Sequence, residues 1–177
     1  MNLWFRLIRI LIAGFFAKRV AWNAVTQTHF HVWPTDLDIN LHLTNSRYLA
    51  LMDLGRVDLI FQTGLSQMVW RDKLAPVVAS NMVRFRRPVG PFQRIILTSQ
   101  VIGWDAKWIF IEHHVKCGDD LMCHAILKAL FLGKTGAVDP DSIAKELGHD
   151  GPSPKLPEWI ATWLAAEQGA AQIGKAK

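Results

Sequence analysis

The chain has 177 residues, 50% of them hydrophobic and 20% charged, with a net charge of +5 and a pI near 9.5. That much apolar material builds one sizeable core and excludes a disordered chain. The basic residues are spread without a dense tract, which argues against nucleic acid and leaves acidic partners such as phosphorylated ligands or anionic lipid. The two cysteines, Cys117 and Cys123, exclude a disulfide scaffold and read as free thiols of a cytoplasmic protein; no metal-ligand pattern adjoins them, so no metal site is assigned.

The chain opens on Met1–Arg19, strongly apolar but interrupted by Arg6 and Arg9. Its clean apolar run, residues 10–17, is far short of the ~20 residues that a bilayer span needs, and no A-x-A cleavage pattern follows. Wound as a helix, Asn2, Arg6, Arg9 and Ala13 form one narrow face, and Leu3, Trp4, Phe5, Ile8, Leu11, Ile12, Phe15 and Phe16 cover the rest. Two readings fit this amphipathic segment. It lies on an anionic membrane surface through residues 1–19, making the protein peripheral to that membrane, or it packs on its own domain or on a partner subunit.

Thr26–Trp33 alternates and is rich in β-formers, which predicts a strand stopped by Pro34. His29 and His31 share one of its faces and read as solvated or hydrogen-bonded strand histidines. Next, Asp36, Asp38, Asn40 and His42 alternate with Leu37, Ile39, Leu41 and Leu43. In an extended segment that period puts carboxylate, amide and imidazole on one side and every apolar group on the other. Thr44-Asn45-Ser46 is a helix-start signal, with Asn45 or Ser46 as the cap of a helix of about five turns that runs to Thr63-Gly64. Its stripe of Ala50, Leu54, Val57 and Phe61 is widened by Leu49, Met52 and Ile60, so the helix is largely buried. Asp53, Arg56 and Asp58 are conspicuous on it, and Asp53 can pair with Arg56 one turn on.

From Gly64 the period becomes two. Strands are predicted over residues 76–87, 92–103, 107–117 and 121–133, joined by short turns into an antiparallel meander. Asp139-Pro140-Asp141 starts a short helix to Leu147, and Glu158 starts a last helix to about Gln168 with Trp159, Ile160, Trp163 and Leu164 on one face. The organisation is therefore an N-terminal amphipathic helix (residues 1–22), a central domain (23–135), and a C-terminal helical extension and tail (136–177). The fold class is α+β: an antiparallel sheet of about five strands wrapped around one long central helix.

A carboxylate, an amide and an imidazole beside a helix N-terminus suit hydrolysis of a carbonyl compound. Asp38 can attack directly or act as general base on water. The orphan N–H groups of Asn45 and Ser46 can hold the developing oxyanion. Asn40 can orient the water or the carboxylate. His42 either steers that group and shares its proton or is a structural histidine that fixes the loop. Asp36 reads as a turn-forming Asx contact. Arg84, Arg86, Arg87 and Arg94 read either as solvated strand ends or as contacts to phosphates. His113, His114 and His124 take surface or inter-subunit roles, and Trp104 and Trp108 are core or interface aromatics.

The order of elements, with the segment Asp36, Asp38, Asn40, His42, Asn45, Tyr48 at the helix entrance, resembles the hotdog-fold thioesterases of the 4-hydroxybenzoyl-CoA thioesterase type. Arg84-Phe85-Arg86-Arg87-Pro88 and Ile102-Gly103-Trp104-Asp105 support the likeness. Within that superfamily, Pro91-Phe92, Gly103-Trp104-Asp105 and Leu156-Pro157-Glu158-Trp159-Ile160 are most similar to the thioesterase-superfamily-member-six group. The chain departs from the common pattern at Leu41, which stiffens the turn, and at Thr44, which removes an amide. The resemblance implies a hotdog fold and hydrolysis of an acyl thioester carried on coenzyme A or acyl carrier protein, without metal or organic cofactor. It implies Asp38 as catalytic carboxylate, with Asn40 and His42 beside it and the backbone N–H of Asn45 as oxyanion donor. Asp53 is the runner-up carboxylate, and Arg84, Arg86 and Arg87 are candidates for the coenzyme A phosphates. It also implies a homodimer or higher even oligomer, in keeping with the exposed sheet edge such a fold leaves. The rival reading is a non-catalytic acyl-ligand-binding or membrane-associated hotdog protein.

Overall fold

The computed structural model describes residues 2–170. At its centre is the long helix α2 (Asn45–Thr63), which ends where the sequence predicts and starts one or two residues earlier, because Thr44 is the cap and not Asn45 or Ser46. Thr44 caps it by accepting the Arg47 N–H, and Gly64 ends it in the left-handed conformation, φ 83°, with its N–H returned to the Phe61 carbonyl. The fully buried side of α2 runs through Tyr48, Leu51, Met52, Leu54, Gly55, Asp58 and Leu59. Of the predicted stripe only Leu54 is fully buried, because the helix is turned so that Gly55 faces the sheet. A Cβ on Gly55 would sit 2.5 Å from Leu97 Cδ2, so the helix reaches this depth only with glycine there. Asp58 is tolerated in the interior because Thr28 Oγ1 donates to it at 2.6 Å.

The sheet comprises β1 (Thr26–His31), β2 (Ala75–Phe85), β3 (Arg94–Trp104), β4 (Ile109–Cys117) and β5 (Asp120–Gly133), with a short β6 (Gly136–Ala137) added to β5. Every pair is antiparallel and the order is β1-β3-β4-β5-β2. β3, β4 and β5 form the predicted meander. β2 does not join it beside β3; it crosses to the far edge, against β5. The link between β2 and β3 carries Pro88 and Pro91 and is pinned elsewhere: Val89 is fully buried and its carbonyl accepts the Leu43 N–H at 2.8 Å. β2 is exposed along nearly its whole length, and an edge is where Pro76, lacking an N–H, fits a ladder.

A second difference is α3 (Leu65–Asp72), which lies where a period of two was expected. Its buried Leu65 and Met68, with Val69, follow a helical spacing, and Gly64 serves both as the end of α2 and the start of α3. α4 (Pro140–Glu146) and α5 (Glu158–Ala170) agree with the sequence reading. α5 lays Ile160 on Phe110 and Ile126, on the sheet face opposite α2. His113 is not a surface residue: it is fully buried between sheet and α2, with Nδ1 2.9 Å from Ser99 Oγ. Burial, aided by the Arg56 charge, pushes its pKa down to about 3, so the imidazole is neutral. Cys117 and Cys123 are free.

α1 (Asn2–Phe15) packs on this domain with part of its charged stripe turned inward. Arg6 is buried and forms a two-pronged ion pair with the fully buried Asp36, at 2.7 and 3.2 Å, while also donating to the His31 carbonyl. Arg9 donates to the His29 carbonyl. Ile10 enters the core, and Gly14 lies against Phe61, where a Cβ would come within 2.7 Å. Trp4, Phe5, Ile8, Ile12, Phe15 and Phe16 remain exposed on the other side.

Breaking a buried ion pair by truncating one partner commonly costs about 3–5 kcal/mol. Arg6→Ala is expected near the lower end, about 3 kcal/mol, because Arg47 stays 3.6 Å from Asp36. Urea unfolding of the variant checks this, and a loss below ~0.5 kcal/mol would mean that α1 is not held by this pair.

Candidate active site

The site is built on the turn that enters α2. A single 3-10 turn, Pro34–Asp36, brings the Asp36 carboxylate onto the Trp33 N–H at 2.9 Å. The Asp36 carbonyl accepts the Thr44 N–H at 3.0 Å, so both ends of the loop are tied to one residue. Asp36 is thus more than the Asx contact the sequence suggested: it is the buried partner of Arg6 and lies 3.6 Å from Arg47.

Between these ties the chain folds back on itself instead of running extended. Leu37 bridges Leu43, the Asp38 N–H donates to the His42 carbonyl at 2.8 Å, and the Leu41 N–H donates to the Asp38 carbonyl at 3.0 Å. Leu41 adopts a φ of 59°, which most L residues avoid. The predicted split into a polar and an apolar side is therefore not realised. Ile39 is 97% and Leu41 65% exposed, because a turn this tight has no interior for them.

The turn instead closes around Asp38. One carboxylate oxygen, Oδ1, accepts the N–H of Asn40 at 2.8 Å and the N–H of His42 at 3.1 Å. The His42 N–H foremost, then that of Asn40, with the His42 ring and the Asn40 side chain beside them, hold the carboxyl below the usual aspartate range. Asp38 is therefore an exposed, ionised carboxylate whose position is set by main-chain donors. Asn40 and His42 act on it chiefly through their backbones, not through the side chains that the sequence drew attention to.

Asp38, His42 and Asn45 line one open cleft with Leu43, Tyr48, Phe85, Arg86, Arg87 and Pro88. The N–H groups of Asn45 and Ser46, in the first turn of α2, have no acceptor among the described residues. Tyr48 and Phe85 are walls that the sequence reading did not assign; their rings lie 5.2 Å apart. Burial pushes the Tyr48 hydroxyl up, so it stays protonated. Arg87 reaches Asp120 at 2.5 Å, whereas Arg86 has no ion pair among the described residues. Arg84 lies outside the cleft, on β2 opposite His124.

Asp53 lies elsewhere. It pairs with Arg56, as expected, and both line a separate apolar cavity between α2 and the sheet. Val57, Ile60, Val77, Val101, Ile111 and Phe131 are among its walls, and about 780 Å³ of empty space, part of it open to solvent, lies inside. Burial lowers the Arg56 pKa while Asp53 raises it. In one chain, then, the two candidate carboxylates occupy different cavities.

The thioesterase-like superfamily matches residues 32–164 of this chain. Protein THEM6 of Xenopus laevis is 26% identical over 144 residues, covering 80% of this chain and 68% of that protein. Protein THEM6 of Drosophila melanogaster is 24% identical over 176 residues, covering 97% and 89%. The crystal structure of an aspartate-to-asparagine mutant of 4-hydroxybenzoyl CoA thioesterase, complexed with 4-hydroxybenzoyl CoA, superposes with a TM-score of 0.62. That superposition covers 70% of this chain and 97% of the other at 16% identity, a likeness of fold. With three quarters of its length matched by the family, the chain belongs to the thioesterase-like superfamily and is a thioester hydrolase of hotdog fold.

Proposed function

We propose that the cleft at the start of α2 hydrolyses acyl-CoA, with Asp38 as the catalytic carboxylate and the Asn45 N–H as oxyanion donor. The observation that carries this reading is that an ionised, exposed carboxylate and an N–H group without an acceptor at a helix N-terminus line the same cleft. Asp38 acts as general base: it takes a proton from water as the water oxygen bonds to the thioester carbonyl carbon. The negative charge passes to the carbonyl oxygen, where the Asn45 N–H and the positive end of α2 stabilise it. Collapse breaks the C–S bond, and the thiolate leaves and takes up a proton. Asn40 and His42 are positioning residues, since their N–H groups hold Asp38. Arg86, with Arg87 beside it, supplies charge for coenzyme A phosphates.

The unpaired edge of β2 is the natural seat of a second copy. Val77 and Val78 are exposed there and, with Pro76, also wall the apolar cavity. Pairing β2 with its equivalent would satisfy the edge and close that cavity, giving an acyl-binding space at a homodimer interface. The exposed row Trp4, Phe5, Ile8, Ile12 and Phe16 of α1, with exposed Arg9, Lys18 and Arg19 nearby, fits an anionic membrane surface. No helix among the described residues is long and apolar enough to cross a membrane.

Three experiments test this reading. Asp38→Asn should lower kcat on acyl-CoA by about two orders of magnitude or more with binding retained. Asp53→Asn should change kcat only a few-fold, since Asp53 is the partner of Arg56. Normal turnover by the first variant with loss in the second would move the carboxylate role to the helix, and no turnover of any acyl thioester by the folded wild type would leave an acyl-binding protein. Sedimentation equilibrium at micromolar concentration should give twice the 20.0 kDa chain mass; a clean monomer rejects the shared edge. Co-sedimentation with phosphatidylserine-containing vesicles should weaken with salt and be lost in a Phe5→Glu, Ile12→Glu variant, whose changes sit on exposed positions and leave the docked side of α1 intact. Equal binding by that variant sinks the membrane reading.

A further inference from the structure

The sheet face away from α2 carries a side-chain cluster that thioester hydrolysis does not use. His114 of β4 and His124 of β5 stand directly opposite one another in register, and their rings stack with centroids 4.8 Å apart at 16°. Glu112 lies two residues before His114 and so on the same face. Its Oε1 is 2.8 Å from His124 Nε2 and 3.9 Å from His114 Nε2. One donor atom from each of the three residues falls within 4.8 Å of the others.

We propose that Glu112, His114 and His124 form a binding site for a divalent transition-metal ion of the zinc class. Two imidazole nitrogens and a carboxylate oxygen are a three-ligand zinc set, which leaves one coordination position for water. Nitrogen in the set selects against magnesium and calcium, which take oxygen ligands. Zinc–ligand bonds of about 2.0–2.2 Å in tetrahedral array place donors roughly 3.3 Å apart. The present separations bracket that value, so side-chain rotation closes the site while the strands stay where they are.

The surroundings both support and temper it. The three residues are half-buried, and the Trp159 ring at the start of α5 sits edge-on to His124 at 6.1 Å, giving the site one wall. Lys116, two residues beyond His114, and Arg84, opposite His124 on β2, put positive charge nearby. They weaken a cation site without entering its donor set, so micromolar rather than nanomolar binding is expected.

Full-length, tag-free protein, stripped with chelator, is titrated with Co²⁺ and then Zn²⁺. One Co²⁺ per chain should bind and give visible d–d absorption, which Zn²⁺ should abolish. Zn²⁺ at a hundredfold excess over its Kd should raise Tm by roughly 5–10 °C. His124→Ala should lose binding, and Glu112→Gln, which keeps the side-chain shape, should weaken it at least tenfold. Near-UV circular dichroism confirms that each variant is folded; should His124→Ala fail to fold, Glu112→Gln and His114→Asn decide. The proposal is overturned if neither ion binds stoichiometrically at about 100 μM, or if binding persists in the folded variants. None of these readouts depends on thioester turnover, so the metal site and the hydrolytic cleft stand or fall separately.

Discussion

The fully buried carboxylate of Asp36 is the constraint on which the site depends. A charge without solvent must be met by partners, and the fold supplies them from three directions: Arg6 of α1, the Trp33 N–H before the turn, and Arg47 in the first turn of α2. The backbone of the same residue takes the Thr44 N–H. One residue therefore ties the N-terminal helix, the loop entrance and the start of α2 together. Asp38 follows two residues later, and the oxyanion donor proposed at Asn45 follows Thr44 at once. Their relative placement is inherited from an interaction that itself does no chemistry.

A second constraint works at the other side of α2. Gly55 lets the helix sink onto Leu97 and Ser99, and the buried polar groups beneath it are arranged in consequence. Asp58 is bonded by Thr28, and Ser99 bonds His113. Arg56, from the next position on α2, lends the charge that helps keep His113 neutral while pairing with Asp53. Asp53 is thus engaged in holding a half-buried guanidinium, whereas the Asp38 carboxylate accepts the N–H groups of Asn40 and His42 and makes no ion pair among the described residues. Asp38, unlike Asp53, shares its cleft with the first turn of α2, where the Asn45 N–H has no acceptor among the described residues, and that is the physical ground for preferring it.

Local signals were legible in the sequence, and pairings across space were not. The Thr44-Asn45-Ser46 start of α2 was legible to within two residues and its Gly64 stop to the residue, because capping and left-handed termination depend on the residues themselves. The meander of β3, β4 and β5 follows from short turns. The placement of β2 against β5 instead of β3 was hidden, because strand order is decided by where the Pro88–Pro91 link is pinned, and its anchor is Leu43, far back in the chain. The alternation over residues 36–43 misled for a related reason: period two implies opposite faces only while the chain is extended, and Asp38 bends it back. Yet the same stretch did mark the carboxylate that the cleft presents. Glu112, His114 and His124 sat in plain view within two strands, but only the register of β4 against β5 makes a cluster of them.

α1 shows how far a helical wheel can go wrong about direction. Its narrow polar stripe would face water in an ordinary surface helix, with the apolar residues turned to the core. Here Arg6 is buried against Asp36 and the His31 carbonyl, while Arg9 stays exposed and donates to the His29 carbonyl at the surface. Once Arg6 is turned inward, a large share of the apolar residues is left outside. The exposed row of aromatic and aliphatic side chains is then a consequence of the buried ion pair, and a surface seeking an apolar partner is built into the way the helix docks.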